Sequence, residues 1–150
     1  MIPKLNKASY IINSLKILLS FETLKMVYFS IVHSIISYGI LLRGVSTHSE
    51  IIFKIQESII TIITNSGNKD SCRNLFTKLN IFPLQFQYIF SLLMFVVKNK
   101  DIFKINSDVH SFNTRAYYDL HTPPANLTVF QNRAWYSGIK IYDYLPPTIK

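Results

Sequence analysis

The 150-residue chain has little of what builds the most recognisable functional sites. It contains one cysteine, four glycines and eight Asp and Glu residues. The single cysteine, Cys72, excludes an internal disulfide and any cysteine-rich zinc site. With so few glycines, the sequence has no glycine-rich nucleotide loop, and it has no nucleophile elbow. The sequence therefore predicts no catalytic residue, no metal site and no cofactor.

The few carboxylates are also badly placed for two-metal catalysis. Nucleotidyl transfer by two metal ions needs acidic side chains that bridge the ions, usually an adjacent Asp pair and a third acid. No aspartate adjoins another acid, and all of them lie in predicted turns or helix ends: Asp70, Asp101, Asp108, Asp119 and Asp143. The four histidines have no ligand-like spacing, and we interpret His33 as a core histidine that hydrogen-bonds a neighbour.

Positive charge is what the chain has in excess. Sixteen Lys and Arg against eight Asp and Glu give a formal net charge of +8. Such a balance favours anionic partners, nucleic acid or anionic lipid. Polar residues, among them Lys7 and Lys16, interrupt the apolar N-terminal stretch, which is therefore not a signal sequence. We expect an intracellular protein, in the cytoplasm or the nucleus.

Apolar spacing predicts a mostly α-helical fold. We expect a compact bundle of about five to six helices over residues 4–105. A less regular extension with one short helix, 106–150, should pack on the same domain. The predicted helices cover 4–19, 20–44, 48–65, 71–79, 84–100 and 132–144. Short strands are predicted at 115–118 and 127–130, on either side of Pro123 and Pro124.

The most apolar helix, 20–44, carries no charge between Lys25 and Arg43. We expect Ser20 to cap its start, Gly44 to end it, and neighbouring helices to bury most of its sides. One inward face is predicted: Leu24, Val27, Ile31, Ile35, Tyr38 and Leu42. Residues 26–42 and 79–97 are also long enough to span a membrane. Because polar residues interrupt both, we favour a helical core and expect no membrane, with a membrane-associated protein as an alternative.

The other helices show clearer stripes. The first should bury Leu5, Ala8, Ile12, Leu15 and Leu19. The third should begin at a Thr47–Glu50 capping box, bury Ile52, Ile55, Ile59 and Ile62, and expose Lys54, Glu57, Ser58 and Thr61. The fifth should bury two rows, Phe86, Phe90, Leu93 and Val97, and Ile89, Leu92 and Val96. The last should present Trp135, Ile139 and Tyr142 on one face.

Basic residues beside aromatics give the one positive site signal. Arg115 precedes Tyr117 and Tyr118, and Arg133 precedes Trp135 and Tyr136. Proteins that bind single strands often pair phosphates with cations and stack bases on aromatic rings in this way. Core packing is the other interpretation, and the helical spacing of Trp135 favours it.

The order of the segments resembles one family over nearly the whole chain, from Lys4 to Lys150. They are KLNKASYIINSLK, LKMVYFSIVHSIISYGILLRG, IFKIQESIITIITNSG, DSCRNLFTKLNIFPLQFQYIFSLLMFV, NTR and YSGIKIYDYLPPTIK. This order is similar to the thumb and post-thumb region of reverse transcriptases from jockey-like non-LTR retrotransposons. Its best markers are Tyr28, Ser34, Tyr38-Gly39, Gln56, Ser71-Cys72-Arg73, Phe76, Asn113-Thr114-Arg115 and Leu145-Pro146.

The resemblance implies a thumb-like fragment of an RNA-directed DNA polymerase, without the catalytic palm and therefore not an enzyme on its own. It implies weak, sequence-independent binding of a primer–template duplex, RNA–DNA or DNA, and the missing palm as a further partner. We expect no small-molecule substrate. The candidate nucleic-acid-binding residues are Lys4, Lys7, Lys16, Lys54, Arg73 and Arg115.

The chain departs from the family at the third helix. The family usually has basic residues at the positions of Glu57, Ser58 and Thr61, and tryptophan at that of Arg43. Since each cation missing from a phosphate-facing surface weakens binding, we expect reduced affinity for nucleic acid. A structural or protein-interaction helical module is therefore an alternative function.

Overall fold

A computed structural model describes residues 1–43, 48–67, 71–112, 114–146 and 148, without the side chains of residues 42 and 43. The fold is mostly α-helical, as predicted. Within the described residues there is no strand, and a single antiparallel bridge joins Ile105 to Leu120. The helices are α1 (Ile2–Leu15), α2 (Phe21–Val27), α3 (Ser34–Arg43), α4 (Ser49–Thr64), α5 (Cys72–Leu79), α6 (Leu84–Lys98), α7 (Asn106–Val109), α8 (Thr128–Gln131) and α9 (Ala134–Asp143).

The chain divides into two units. Unit 1 comprises Met1–Ile40 and Val45–Gln87, and unit 2 comprises Leu41–Gly44 and Tyr88–Lys150. The division falls inside α6, whereas the sequence placed a boundary between residues 105 and 106. The predicted domain boundary stays a prediction.

The core of unit 1 forms where α1 packs along α4. α4 also contacts α2 and α5. From α1 the residues Leu5, Ala8 and Ile12 are fully buried, as predicted. The prediction is wrong for Leu15 and Leu19, which are only half-buried, because α1 ends at Leu15. On α4, Ile52 and Ile59 are buried as predicted, but Ile55 and Ile62 are only half-buried. Their places on the inner face are taken by Gln56, Ile60 and Ile63. His48 is the N-cap and makes no side-chain cap bond; Thr47, the predicted cap, lies outside the described residues.

The most apolar helix runs continuously from Phe21 to Arg43, with a π-helical segment at Tyr28–His33 between α2 and α3. The Ser20 side chain caps it as predicted, by accepting a hydrogen bond of 3.4 Å from the Thr23 backbone N–H. The predicted end at Gly44 lies outside the described residues.

The predicted inward face of this helix is wrong. The buried residues recur at every fourth position: Leu24, Tyr28, Val32, Ile36 and Ile40. Of the predicted face, Leu24 is buried, Val27, Ile31 and Ile35 are half-buried and Tyr38 is 81% exposed. The side chain of Leu42 lies outside the described residues. A π-helix closes i→i+5 hydrogen bonds, so its wider turn keeps residues four apart on one face. The expected burial on most sides is also wrong, because only 33% of its apolar window is buried.

One of the two rows predicted to be buried on α6 is wrong as well. The buried apolar residues are again four apart: Leu84, Tyr88, Leu92 and Val96. Phe86, Phe90 and Val97 are between 52% and 63% exposed, and Leu93 is half-buried. In the second predicted row Leu92 and Val96 are buried, but Ile89 is 41% exposed.

The core of unit 2 gathers around α9. Val96, Phe103, Leu120, Ile139 and Tyr142 form one buried cluster. The predicted face of α9 is confirmed for Ile139 and Tyr142, and Trp135 packs beside them.

The predicted strands in unit 2 are wrong. Residues 115–118 form turns, in which the Tyr117 N–H donates to the Thr114 carbonyl and the Asp119 N–H donates to the Ala116 carbonyl. Residues 128–130 belong to the short helix α8, and Leu127 is its N-cap. These local hydrogen bonds pair backbone N–H and C=O groups that a β-strand would pair with a neighbouring strand. The β-propensity of the side chains alone had predicted such strands.

The helix Phe21–Leu41 is long and apolar enough to cross a membrane, with a hydropathy of 1.5. The pair α5 and α6 passes the same test together, but it is bent by 47°. Core helices of soluble proteins have the same length and composition, so the expectation of no membrane stays a prediction.

Candidate nucleic-acid interface

Five of the six candidate basic residues belong to unit 1. Lys4 and Lys7 lie exposed on α1, and Lys16, at its C-cap, is half-exposed. Lys54 is exposed on α4, and Arg73 is exposed in the first turn of α5. Only Arg115 lies in unit 2, exposed in the turn that precedes Tyr117.

The exposed candidate cations of unit 1 lie on the helix sides that do not form its core. At about 100° per residue, Lys54 lies on the opposite side of α4 from Gln56 and Ile63. Lys4 and Lys7 lie to one side of the Leu5–Ala8–Ile12 stripe, with Lys16 on its other side. Each unit has eight Lys and Arg against four Asp and Glu. Because the positive excess is shared equally, neither unit alone accounts for the charge of the chain.

The predicted outer face of α4 is only half right. Lys54 and Ser58 are exposed, whereas Glu57 and Thr61 are half-buried. The Thr61 hydroxyl donates to the Glu57 carbonyl over 2.9 Å, which turns it back onto its own helix. Glu57 leans towards α5, which packs on that flank of α4. The free part of this face is therefore narrower than the sequence suggested.

Glu57 interacts with the chain's only cysteine. Burial raises the pKa of the Cys72 thiol to about 11, and a hydrogen bond and charge repulsion from the Glu57 carboxylate act in the same direction. Both residues line a cleft of about 690 Å³ in unit 1, together with Arg73. The rings of Phe53 and Phe76, also in its lining, stack with centroids 6.1 Å apart. Cys72 is thus a protonated, partly buried thiol.

A buried amide holds three elements of unit 1 together. Gln56 is 1% exposed. Its Nε2 donates to the Tyr28 hydroxyl over 2.9 Å and to the Phe82 carbonyl over 3.1 Å. Its Oε1 accepts from the Leu84 N–H over 3.0 Å and so caps the start of α6. Burial raises the pKa of Tyr28 to about 12, against the weaker effect of the Gln56 hydrogen bond.

His33 contacts a hydrogen-bonding neighbour, as predicted, but it is only half-buried and not part of the core. Its Nδ1 lies 3.3 Å from Nε2 of Gln87, and that amide also donates to the Ser37 hydroxyl over 2.7 Å. Partial burial lowers the pKa of His33. The Gln87 Oε1 atom is buried and has no hydrogen-bond partner among the described residues. This cluster joins α6 to the helix Phe21–Arg43 within unit 1.

The two basic–aromatic segments differ. Beside Arg115, Tyr118 is 83% exposed and its ring meets that of Tyr117 edge-on at 5.1 Å. Trp135 instead stacks on Phe103, with centroids 4.1 Å apart. One face of the indole is therefore used for core packing, the interpretation that its helical spacing favoured.

Among the described residues, no three His, Cys, Asp or Glu side chains come together as metal ligands. The comparisons add no relative: no protein-family model, no curated protein and no solved structure matches the chain. The resemblance to reverse-transcriptase thumbs therefore rests on the residues alone.

Proposed function

We propose that this chain is a thumb-like helical fragment, related to non-LTR retrotransposon reverse transcriptases, that binds duplex nucleic acid weakly and without sequence preference. It has no polymerase activity on its own. The order of the family-like segments supports its origin, and its charge supports the partner. The missing palm would be a second partner.

One observation carries the binding proposal: four exposed candidate cations of unit 1 stand on the outer sides of helices whose inner sides form its core, namely Lys4, Lys7, Lys54 and Arg73. Lys54 points away from the core of α4, and Arg73 is exposed at the start of α5. Exposed Lys and Arg side chains bind phosphates and release counterions, a mechanism that needs no base contact.

Salt dependence tests this proposal directly. We would titrate fluorescein-labelled 20-base-pair DNA and RNA–DNA duplexes with the protein at several salt concentrations and follow anisotropy. The variant Lys4→Gln/Lys7→Gln/Lys54→Gln should bind more weakly. Its slope of log K against log salt should be shallower by about 0.9 for each phosphate that the variant no longer neutralises.

The matched control is Lys98→Gln/Lys100→Gln/Lys104→Gln, which removes the same charge from positions outside the candidate set. It should leave most of the slope intact. Equal reductions of the salt slope in the two triple variants would show that only net charge determines binding. If the wild type did not bind at low salt, the proposal would be wrong.

A protein-interaction module is a second candidate, favoured by the exposed apolar row on α6. Phe86, Phe90 and Val97 are each more than half exposed, and apolar surface of this kind marks docking sites. A pull-down followed by nuclease digestion separates the two functions, since partners that survive digestion are proteins.

Membrane association is the third candidate, favoured by the length and composition of Phe21–Leu41. Carbonate extraction of a cell fraction decides it. A membrane-spanning chain stays in the pellet, whereas the duplex-binding fragment that we propose is released.

A further inference from the structure

Unit 2 contains a second cleft, and none of the six candidate cations is among its described lining residues. It has a volume of about 530 Å³, within the range of about 300–1,000 Å³ typical of small-ligand sites. Its lining combines a rigid segment with aromatic side chains and one cation: Pro123, Pro124, Ala125, Asn126, Leu127, Phe130, Arg133, Trp135 and Tyr136. No Asp or Glu is among these described lining residues. The cleft is thus aromatic and positively charged.

Arg133 is placed to bind an anion. Its guanidinium lies over the Phe130 ring, 4.7 Å from the centroid. A guanidinium stacked on a ring keeps its N–H donors in its own plane, where they remain available to a phosphate. The side chain is exposed and makes no hydrogen bond or ion pair with another described residue. A second cation, Lys140 Nζ, lies 5.0 Å from the Tyr136 ring centroid and strengthens the positive potential.

The aromatic side chains offer a surface to a planar group. Trp135 uses one face of its indole against Phe103, yet it also lines the cleft. Tyr136 is half-buried and Phe130 is 48% exposed. Bases stack on such rings without regard to sequence, because every base has a π face.

We infer that this cleft binds one nucleotide, with its base against Trp135 and Tyr136 and its phosphate on Arg133. The occupant is an aromatic anion because the described lining supplies aromatic rings and a cation but no carboxylate. The nucleotide can be part of a single strand or be free, and the chemistry of recognition is the same. The site shares no residue with the proposed duplex-binding set, so either proposal can fail without the other.

The whole chain provides its own reporter, because Trp135 is its only tryptophan. We would excite at 295 nm, correct for absorption with free tryptophan, and titrate with 5′-AMP and, separately, with adenosine. AMP should quench the fluorescence saturably. Adenosine should bind about tenfold more weakly, since it lacks the charge-assisted phosphate contact.

Two variants divide the site into its parts. Arg133→Gln should weaken the binding of AMP about tenfold and leave the affinity for adenosine unchanged. Tyr136→Leu should weaken both, by about tenfold or more, since stacking contributes to each. Arg133 is the N-cap residue of α9 but makes no side-chain cap bond, so its replacement should not disturb the helix. Lys104→Gln, an exposed position of the same unit outside the cleft, is the matched charge control and should change neither affinity.

A fluorescein-labelled single-stranded octamer distinguishes a nucleotide within a strand from a free nucleotide as the occupant of the cleft. Tighter binding of the octamer than of AMP, with AMP as a competitor, assigns the cleft to a strand, and equal affinity assigns it to free nucleotides. The inference is overturned if AMP gives no saturable quench, or if Arg133→Gln and Lys104→Gln behave alike. Circular dichroism of each variant confirms that it is folded.

Discussion

At the scale of single residues, Gln56 determines how unit 1 is held together. A buried side-chain amide is stabilising only when its hydrogen bonds are made, and here both ends of the amide have partners. Periodicity predicted an isoleucine row beside it and gave Gln56 no core role. Its position on the inner face could not be inferred, because the sequence does not show which backbone groups a glutamine will meet.

Replacing Gln56 with leucine should destabilise the protein strongly. The Gln56→Leu variant leaves the Tyr28 hydroxyl and the Leu84 N–H without this partner, and buried groups of that kind cost about 1–3 kcal/mol each. We expect a decrease of about 2–5 kcal/mol in the free energy of unfolding, measured by urea denaturation and circular dichroism. Tyr28→Phe removes one hydroxyl but leaves the amide bonded to Phe82, so it should cost about 1 kcal/mol. Equal decreases in the two variants would contradict this account.

The reactivity of Cys72 is a second prediction at this scale. With its pKa raised from 9.0 to about 11, the thiol has a thiolate fraction at pH 8 that is about 100-fold lower than an unshifted one. Iodoacetamide should therefore label it slowly, and the rate should still rise with pH above about 10. Glu57→Gln removes the negative charge and should speed labelling, but by less than about 100-fold because burial is the larger cause. Rapid labelling of the wild type at pH 8 would refute the raised pKa.

At the scale of elements, the presence of a helix was easier to predict than which of its faces is buried. The helices α1, α4, α5 and α9 lie within about four residues of their predicted bounds, since each has a polar face and an apolar face. The helix Phe21–Arg43 and α6 have almost no polar face, so their sequences do not show which face is inward. Their observed faces follow from the π-helical segment and from the partners in each unit, which a local pattern does not contain.

Gly138, inside α9, gives a prediction for an element. It is buried, and a Cβ atom there would lie 2.9 Å from Cγ2 of Val96, a side chain that is itself fully buried. Helix propensity alone would make Gly138→Ala stabilising by about 1 kcal/mol. We expect the steric conflict to dominate, so that the variant unfolds at lower urea concentration than the wild type. Trp135 fluorescence reports this transition within unit 2.

A control for Gly138→Ala lies outside the helices. A Cβ atom added to Gly67 would have nothing within 4 Å, so Gly67→Ala should change stability little. If Gly138→Ala instead stabilised the protein, Val96 would have room to move, and α6 would pack less tightly against α9 than the 2.9 Å approach indicates.

At the scale of the whole molecule, net charge predicts the kind of partner but not the surface. The charge of +8 follows from composition alone, whereas the exposed part of α4 depends on how α5 covers its flank. The sequence placed Glu57, Ser58 and Thr61 together on a phosphate-facing side. Packing leaves Ser58 and Lys54 exposed there, one turn apart. The phosphate-facing side of α4 is therefore limited to these two residues.

The sharpest test of the duplex-binding proposal is therefore Ser58→Arg. Ser58 is exposed one helical turn after Lys54, so an arginine there extends the positive charge of this face. Duplex binding should tighten at low salt, and the slope of log K against log salt should steepen by about 0.9, the value for one added phosphate contact. Stability should change by less than about 0.5 kcal/mol, as at other exposed helix positions. Ser58→Gln, which adds length without charge, should leave both the affinity and the slope as they are.

Glu57→Lys adds a charge one position away and should behave differently. Glu57 is half-buried and its carboxylate helps to raise the pKa of Cys72, so lysine there removes that negative charge and places its amine beside α5. We expect lower stability by urea denaturation and faster labelling of Cys72, with less gain in duplex affinity than Ser58→Arg gives. If Ser58→Arg left the salt slope unchanged, the outer face of α4 would not lie along a phosphate backbone, and the thumb-like mode of binding would be wrong for this chain.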